Sequence, residues 1–143
     1  MATFHPYLNF AGNTEEAFNF YKSVFGGDFT SVNRFKDVPA GDEPLPPGIE
    51  DKIMHISLPI GGGTILMATD AIESMGHKLI EGNNSYISIN PDSKEEADTI
   101  YNKLSVGGKI EMALSDQFWG AYFASFTDKF GTNWMINYTY PKN

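Results

Sequence analysis

Short stretches of strict apolar–polar alternation are interleaved along the chain with stretches in which apolar residues recur at helical spacing. "YLNF" at 7–10 and "YISIN" at 86–90 read as strands of period two. "GNT" and "PDS" follow them, and Asn13, Thr14, Asp92 or Ser93 can accept hydrogen bonds from the first free N–H groups of a helix. Glu15 and Glu16, like Glu95 and Glu96, then fall in first turns, where the helix dipole favours negative charge. In the first helix Ala17, Phe20, Tyr21 and Val24 recur at i, i+3, i+4 and i+7, an apolar stripe that faces a core. Glycine pairs, Gly26-Gly27 and Gly107-Gly108, end both helices. Three strands are predicted after each: 29–36, 52–60 and 63–69, then about 109–115, 120–127 and 132–139.

The same order of signals occurs twice. Tyr7, Leu8 and Phe10 match Tyr86, Ile87 and Ile89; after one inserted residue, Glu15-Glu16-Ala17 matches Glu95-Glu96-Ala97; and "GTILM" (63–67) is echoed by "GTNWM" (131–135). A repeat of this kind implies two β-α-β-β-β modules, about 4–70 and 85–140, joined by a linker at 70–84. Each module leaves a sheet face that it cannot bury alone, so the expected architecture is α+β, with the modules paired in one domain spanning 1–143 around a mostly antiparallel sheet. Residues 37–50 contain Pro39, Pro44, Pro46 and Pro47 and are expected to be extended, either as a solvated connector or as a lid or dimer arm.

Composition narrows the function classes. Of 143 residues 41% are hydrophobic, with 11 Phe, 7 Tyr and 2 Trp to fill a core or wall a pocket. The formal charge of −8 and the lack of a basic cluster argue against nucleic acid and against an anionic membrane. With no cysteine there is no disulfide, thiolate metal site or cysteine nucleophile. The start of the chain lacks a signal-peptide pattern, and no apolar run reaches the roughly 20 residues of a membrane span, so a cytoplasmic protein is expected. No Ser-His-Asp order, P-loop or Rossmann glycine pattern is present.

Alternation also proposes a site. If Met67 and Met135 point to the concave side, Ile65, Thr69, Asn133 and Asn137 do too, while Leu66 and Trp134 face the helices. On the first strands His5, Tyr7 and Asn9 share one face, and Asn84, Tyr86 and Ser88 form its counterpart. His5 and His55 are the candidate acid–base residues. His55 faces the concave side beside Ser57 or is a hydrogen-bonded sheet residue; His77, in the linker, reads as solvated. Tyr7, Asn9, Met67, Tyr86, Trp119 and Met135 are the candidate ligand-binding wall, although methionines at such positions serve equally as packing residues.

A duplicated βαβββ unit resembles the vicinal oxygen chelate superfamily, which includes glyoxalase I, fosfomycin-resistance proteins and extradiol dioxygenases. "PYLNFAGNTEEAFNFYKSVFGG" with "FWGAYFASFTDKFGTNWMIN" resembles its PhnB-like branch, whose members are often labelled 3-demethylubiquinone methyltransferase-like; no S-adenosylmethionine motif supports that label in this chain. The resemblance implies a glyoxalase-like fold, a homodimer, and a divalent ion held by four ligands from the first and last strands of each module. Of those positions His5, in "HPYL", retains a ligand; Met67 and Met135 stand where glutamates are usual, and the fourth falls near Asn84 or Tyr86. A thioether suits soft Cu(I) rather than Mg²⁺, Mn²⁺, Zn²⁺ or Ni²⁺, so no metal site of the family's type is expected. Two functions remain: a small-metabolite enzyme working without that metal, or a metal-free binding protein for a small apolar or aromatic ligand.

Overall fold

The computed structural model describes residues 1–38 and 44–141. The chain divides into two compact units, Met1–Ile80 and Glu81–Asn143. Residues 39–43, part of the Pro-rich stretch expected to be a solvated connector or a lid or dimer arm, lie outside the described residues.

The first unit contains β1 (Tyr7–Phe10), α1 (Thr14–Phe25), β2 (Ser31–Arg34), β3 (Ile53–Gly61) and β4 (Thr64–Asp70). The second contains β5 (Ile87–Ile89), α2 (Lys94–Leu104), β6 (Lys109–Asp116), β7 (Ala121–Thr127) and β8 (Asn133–Thr139). Each is a βαβββ unit with a four-stranded sheet, ordered β1-β4-β3-β2 and β5-β8-β7-β6. The first strand of each runs parallel to the last, and the other pairs are antiparallel.

One face of each sheet is covered by its helix. In the first unit Ala17, Phe18 and Tyr21 are fully buried with Ile56, Leu58, Leu66 and Ala68. Phe18 therefore occupies the core-facing place expected of Phe20; the spacing is the same, but the stripe runs through Thr14, Ala17, Phe18 and Tyr21. In the second unit Ala97 and Leu104 are buried with Ala124, Phe126, Trp134 and Ile136. Leu66 and Trp134 thus face the helices, and the alternate residues of β4 and β8 form the open faces.

The helix starts differ from one another. Ser93 caps α2, its hydroxyl accepting the Glu96 N–H at 3.1 Å, and the Glu96 carboxylate accepts the Asp92 N–H in return. Asn13 makes no side-chain cap on α1. Asp70, at the end of β4 and buried, does that work: its carboxylate accepts the Thr14 N–H at 3.0 Å and the Ile53 N–H at 2.7 Å, tying helix and sheet together. The glycine pairs also act in two ways. Gly26, Gly27 and Gly107 hold positive φ, whereas Gly108 has an ordinary φ but a Cβ there would sit 2.1 Å from the Thr127 carbonyl oxygen.

Strand pairing corrects the repeat match. Tyr7 lies across from Met67, and Ser88, not Tyr86, lies across from Met135. Tyr86 is therefore the counterpart of His5. A shift of two residues leaves the facing unchanged, so Tyr86 and Ser88 stay on the open face.

Candidate functional site

On the open face of the first sheet, Met67 stands between Tyr7 on β1 and Ser57 on β3, and Thr69 lies beside Asn9. The sheet carries Tyr7 and His55 toward each other above β4. The Tyr7 hydroxyl lies 3.4 Å from His55 Nδ1, a long hydrogen bond, with ring centroids 5.8 Å apart. Partial burial raises the tyrosine's pKa above its ordinary 10, so at neutral pH the hydroxyl is protonated and the pair can share that proton. Asn9 is exposed.

His5 is arranged otherwise. Its Nδ1 accepts the backbone N–H of Ile65 at 3.0 Å, just before β1 begins and alongside β4. A backbone amide can only donate, so the neutral ring carries its proton on Nε2. That tautomer has no lone pair left for a metal. The alternative tautomer would place two N–H groups against each other. Metal-bound histidines normally donate their second N–H to an acceptor, the reverse of this arrangement.

On the open face of the second sheet, Met135 stands between Ser88 and Ser125, and Asn137 faces Phe123. At one end Tyr86 donates its hydroxyl proton to Glu111, 2.7 and 3.0 Å from the two carboxylate oxygens. The two side chains belong to the β5 and β6 sides of the sheet, which three strand spacings of about 4.8 Å separate. They meet over Asn133 and Thr127, themselves bonded at 2.8 Å. The bond to Glu111 raises the Tyr86 pKa. Asn133 is fully used, since its amide also donates to the carbonyls of Gly82 and Ser85. At the other end Trp119, half exposed in the β6–β7 turn, packs edge-on against Phe123 at 5.9 Å and against Phe118 at 5.1 Å.

The structure thus brings Tyr7, His55 and Met67 together on one sheet, and Tyr86, Trp119 and Met135 along another. His5 is drawn into the β1–β4 framework. Glu111 and Phe123 were not singled out in the sequence: β6 carries register shifts between Ile110 and Met112 and between Met112 and Ser115, which erase the alternation that would have placed Glu111.

The donor set does not suit the divalent ion implied by the resemblance. Thioethers stand at both glutamate positions, a tyrosine engaged with Glu111 stands at the fourth, and the His5 lone pair is committed. Among the described residues, no group of three or more His, Asp and Glu side chains is placed to hold a metal.

Comparison with known proteins agrees with the architecture. Residues 3–136 match the model of the glyoxalase/bleomycin resistance protein/dioxygenase superfamily. Protein YjdN of Escherichia coli is 35% identical, with 92% of each chain covered. Protein PA1353 of Pseudomonas aeruginosa is 39% identical, with a TM-score of 0.82 and coverage of 97% of this chain and 98% of that one. The PhnB protein of Bacillus cereus is 27% identical, with a TM-score of 0.77 and coverage of 96% and 100%. Family match, sequence identity over nearly the whole length and shared architecture converge: the chain belongs to the glyoxalase/bleomycin resistance protein/dioxygenase superfamily and has PhnB-like relatives within it.

Proposed function

We propose that this protein acts on a small metabolite at the open face of its first sheet, with the Tyr7–His55 pair moving a proton and without the superfamily's four-ligand divalent ion. The observation that carries this reading is the Tyr7 hydroxyl at 3.4 Å from His55 Nδ1, on the open face of the first sheet. Met67 and Thr69 supply a soft wall and a hydroxyl beneath the pair. His5 is a holding residue in this reading, because its Nδ1 fixes β1 against Ile65.

The test is a metabolite screen on protein with ¹³C-labelled methionine methyls. A hit should shift the Met67 methyl, His55→Gln should abolish turnover while leaving binding within a few-fold, and Tyr7→Phe should slow turnover less. Hits that neither move Met67 nor respond to His55→Gln would remove the basis of the proposal. A ligand present at a hundred times its Kd should also stabilise the fold by about 2.7 kcal/mol.

A second reading, a metal-free binding protein, is supported by the other sheet. The three histidines, His5, His55 and His77, all belong to the first unit, and the second unit's Trp119–Phe123–Met135 face carries contact residues without an imidazole of its own. Ligand-dependent quenching of Trp119 without any turnover would favour it. Trp134, the other tryptophan, is fully buried and should stay silent.

A further inference from the structure

The first unit contains a hollow of about 230 Å³ that shares only Thr69 with the proposed site. Its walls come from a one-turn 3-10 helix at Phe35–Asp37, the start of β3 at Met54, the end of β4 at Thr69 and Asp70, and a second one-turn helix at Glu73–Met75 followed by His77. Thr69 is its border with the open face. We propose that this hollow binds a small neutral aromatic molecule carrying a hydroxyl or N–H donor, of phenol or indole size.

Size sets the first limit. An engineered cavity of about 150 Å³ accepts benzene, so this volume suits one substituted ring or a fused pair rather than a large ligand. Wall chemistry sets the second. Phe35, Met54, Ile72 and Met75 offer a ring, two thioethers and a branched chain, and methionine sulfur packs favourably against aromatic ligands. Met75 is half exposed, a costly position for an apolar side chain that a bound ring would cover.

Polar groups set the third. The His77 ring makes no hydrogen bond with another described residue, although its backbone N–H is held by the Ile72 carbonyl at 3.1 Å. A neutral imidazole has one nitrogen free to accept a ligand's proton. Asp70, buried in the wall, takes one backbone N–H on each carboxylate oxygen, so its charge is fixed there by the fold. That charge, in a chain of net −8, opposes an anionic ligand and favours a donor.

The six methionines make the test specific, because they report from different places. Met54 and Met75 line the hollow, Met67 lies on the first open face, Met112 and Met135 lie on the second sheet, and Met1 is exposed at the first residue. Phenol, indole and benzoate are titrated to millimolar concentration into the full-length chain labelled at the methionine methyls. Saturable shifts at Met54 and Met75 with phenol and indole, and several-fold weaker ones with benzoate, are expected. Shifts at Met67 or Met135 alone would overturn the proposal while leaving the open-face reading intact, and the absence of any saturable shift would also overturn it. His77→Gln should weaken phenol several-fold with the remaining methyl spectrum unchanged; an unaltered phenol affinity would refute the role given to His77. Met75→Ala, at an exposed position that the fold tolerates, should weaken both ligands. Equal affinity in that variant would show that the hollow is not the site.

Discussion

Asp128 to asparagine is the substitution whose effect can be worked most fully from the geometry. Asp128 is buried, 3% exposed, in the turn that leads into β8. One carboxylate oxygen accepts the N–H groups of Phe130 at 2.8 Å and Thr132 at 3.1 Å, and the other accepts the indole N–H of Trp134 at 2.8 Å. Asparagine can keep the first oxygen in place, but it turns the second into an NH₂ that meets the indole N–H. Replacing a charged hydrogen bond by two opposed donors in a buried place costs about 2–3 kcal/mol. Trp134→Phe removes the donor instead and shrinks a fully buried ring, for a loss of about 2–4 kcal/mol. In the double variant the two N–H groups no longer oppose each other. Its total loss should then fall short of the sum by about 1–2 kcal/mol. Urea unfolding followed by far-ultraviolet circular dichroism measures all four corners of the cycle, with unchanged m values as the check that only stability moved. Additivity within about 0.5 kcal/mol would refute the claim that this carboxylate and indole hold the start of β8 and with it the placement of Met135.

Other outcomes follow from single contacts. Gly108→Ala should destabilise by at least about 2–3 kcal/mol in thermal unfolding, since the new methyl meets the Thr127 carbonyl, which is backbone and cannot step aside. Arg34→Ala should cost only about 0.5–1 kcal/mol, and less at high salt, because the Glu15–Arg34 pair is tight at 2.5 Å but half exposed on the glutamate side. The Arg34 hydrogen bond lowers the Glu15 pKa below 4.5, so this contribution is present above that pH and is lost as acidity passes the folded value. Hydrogen bonds from Tyr122 to Asp98 and from Tyr140 to Asp116 push both phenols up to about 12. The unfolded chain releases these protons near 10, so stability should fall as pH rises from about 10 to about 12, and Tyr122→Phe should flatten the fall. Ultraviolet titration of the phenolate band checks the late ionisation.

Much of the fold was legible because its signals are local and repeated. The alternation that set Leu66 and Trp134 against Met67 and Met135 is the alternation observed, and the helices begin at Thr14, within "GNT", and at Lys94, just after "PDS", with the expected glutamates in their first turns. What was lost depends on contacts distant in the chain. The Tyr7–Tyr86 likeness is one of side-chain type, whereas backbone pairing fixes register and pairs Tyr7 with Met67 but Ser88 with Met135. The cap of α1 comes from Asp70, 56 residues after Thr14, which no local capping rule can reach. Of the site, alternation placed Tyr7, Asn9, Met67 and Met135 on open faces, but the approach of Tyr7 to His55 depends on the relative lean of β1 and β3. The hollow beside His77 is walled by two one-turn helices, too short to leave any period in the sequence.

This chain keeps its superfamily's fold, while the residues at the ligand positions implied by the resemblance do not suit a divalent ion. Titration of metal-free protein with Ni²⁺, Zn²⁺ and Mn²⁺ by calorimetry, with elemental analysis of the purified chain, tests this directly. No stoichiometric ion, no saturable heat and no change on His5→Ala beyond a loss of stability from the freed Ile65 N–H are expected. Tight stoichiometric binding of a divalent ion, abolished by His5→Ala, would contradict it.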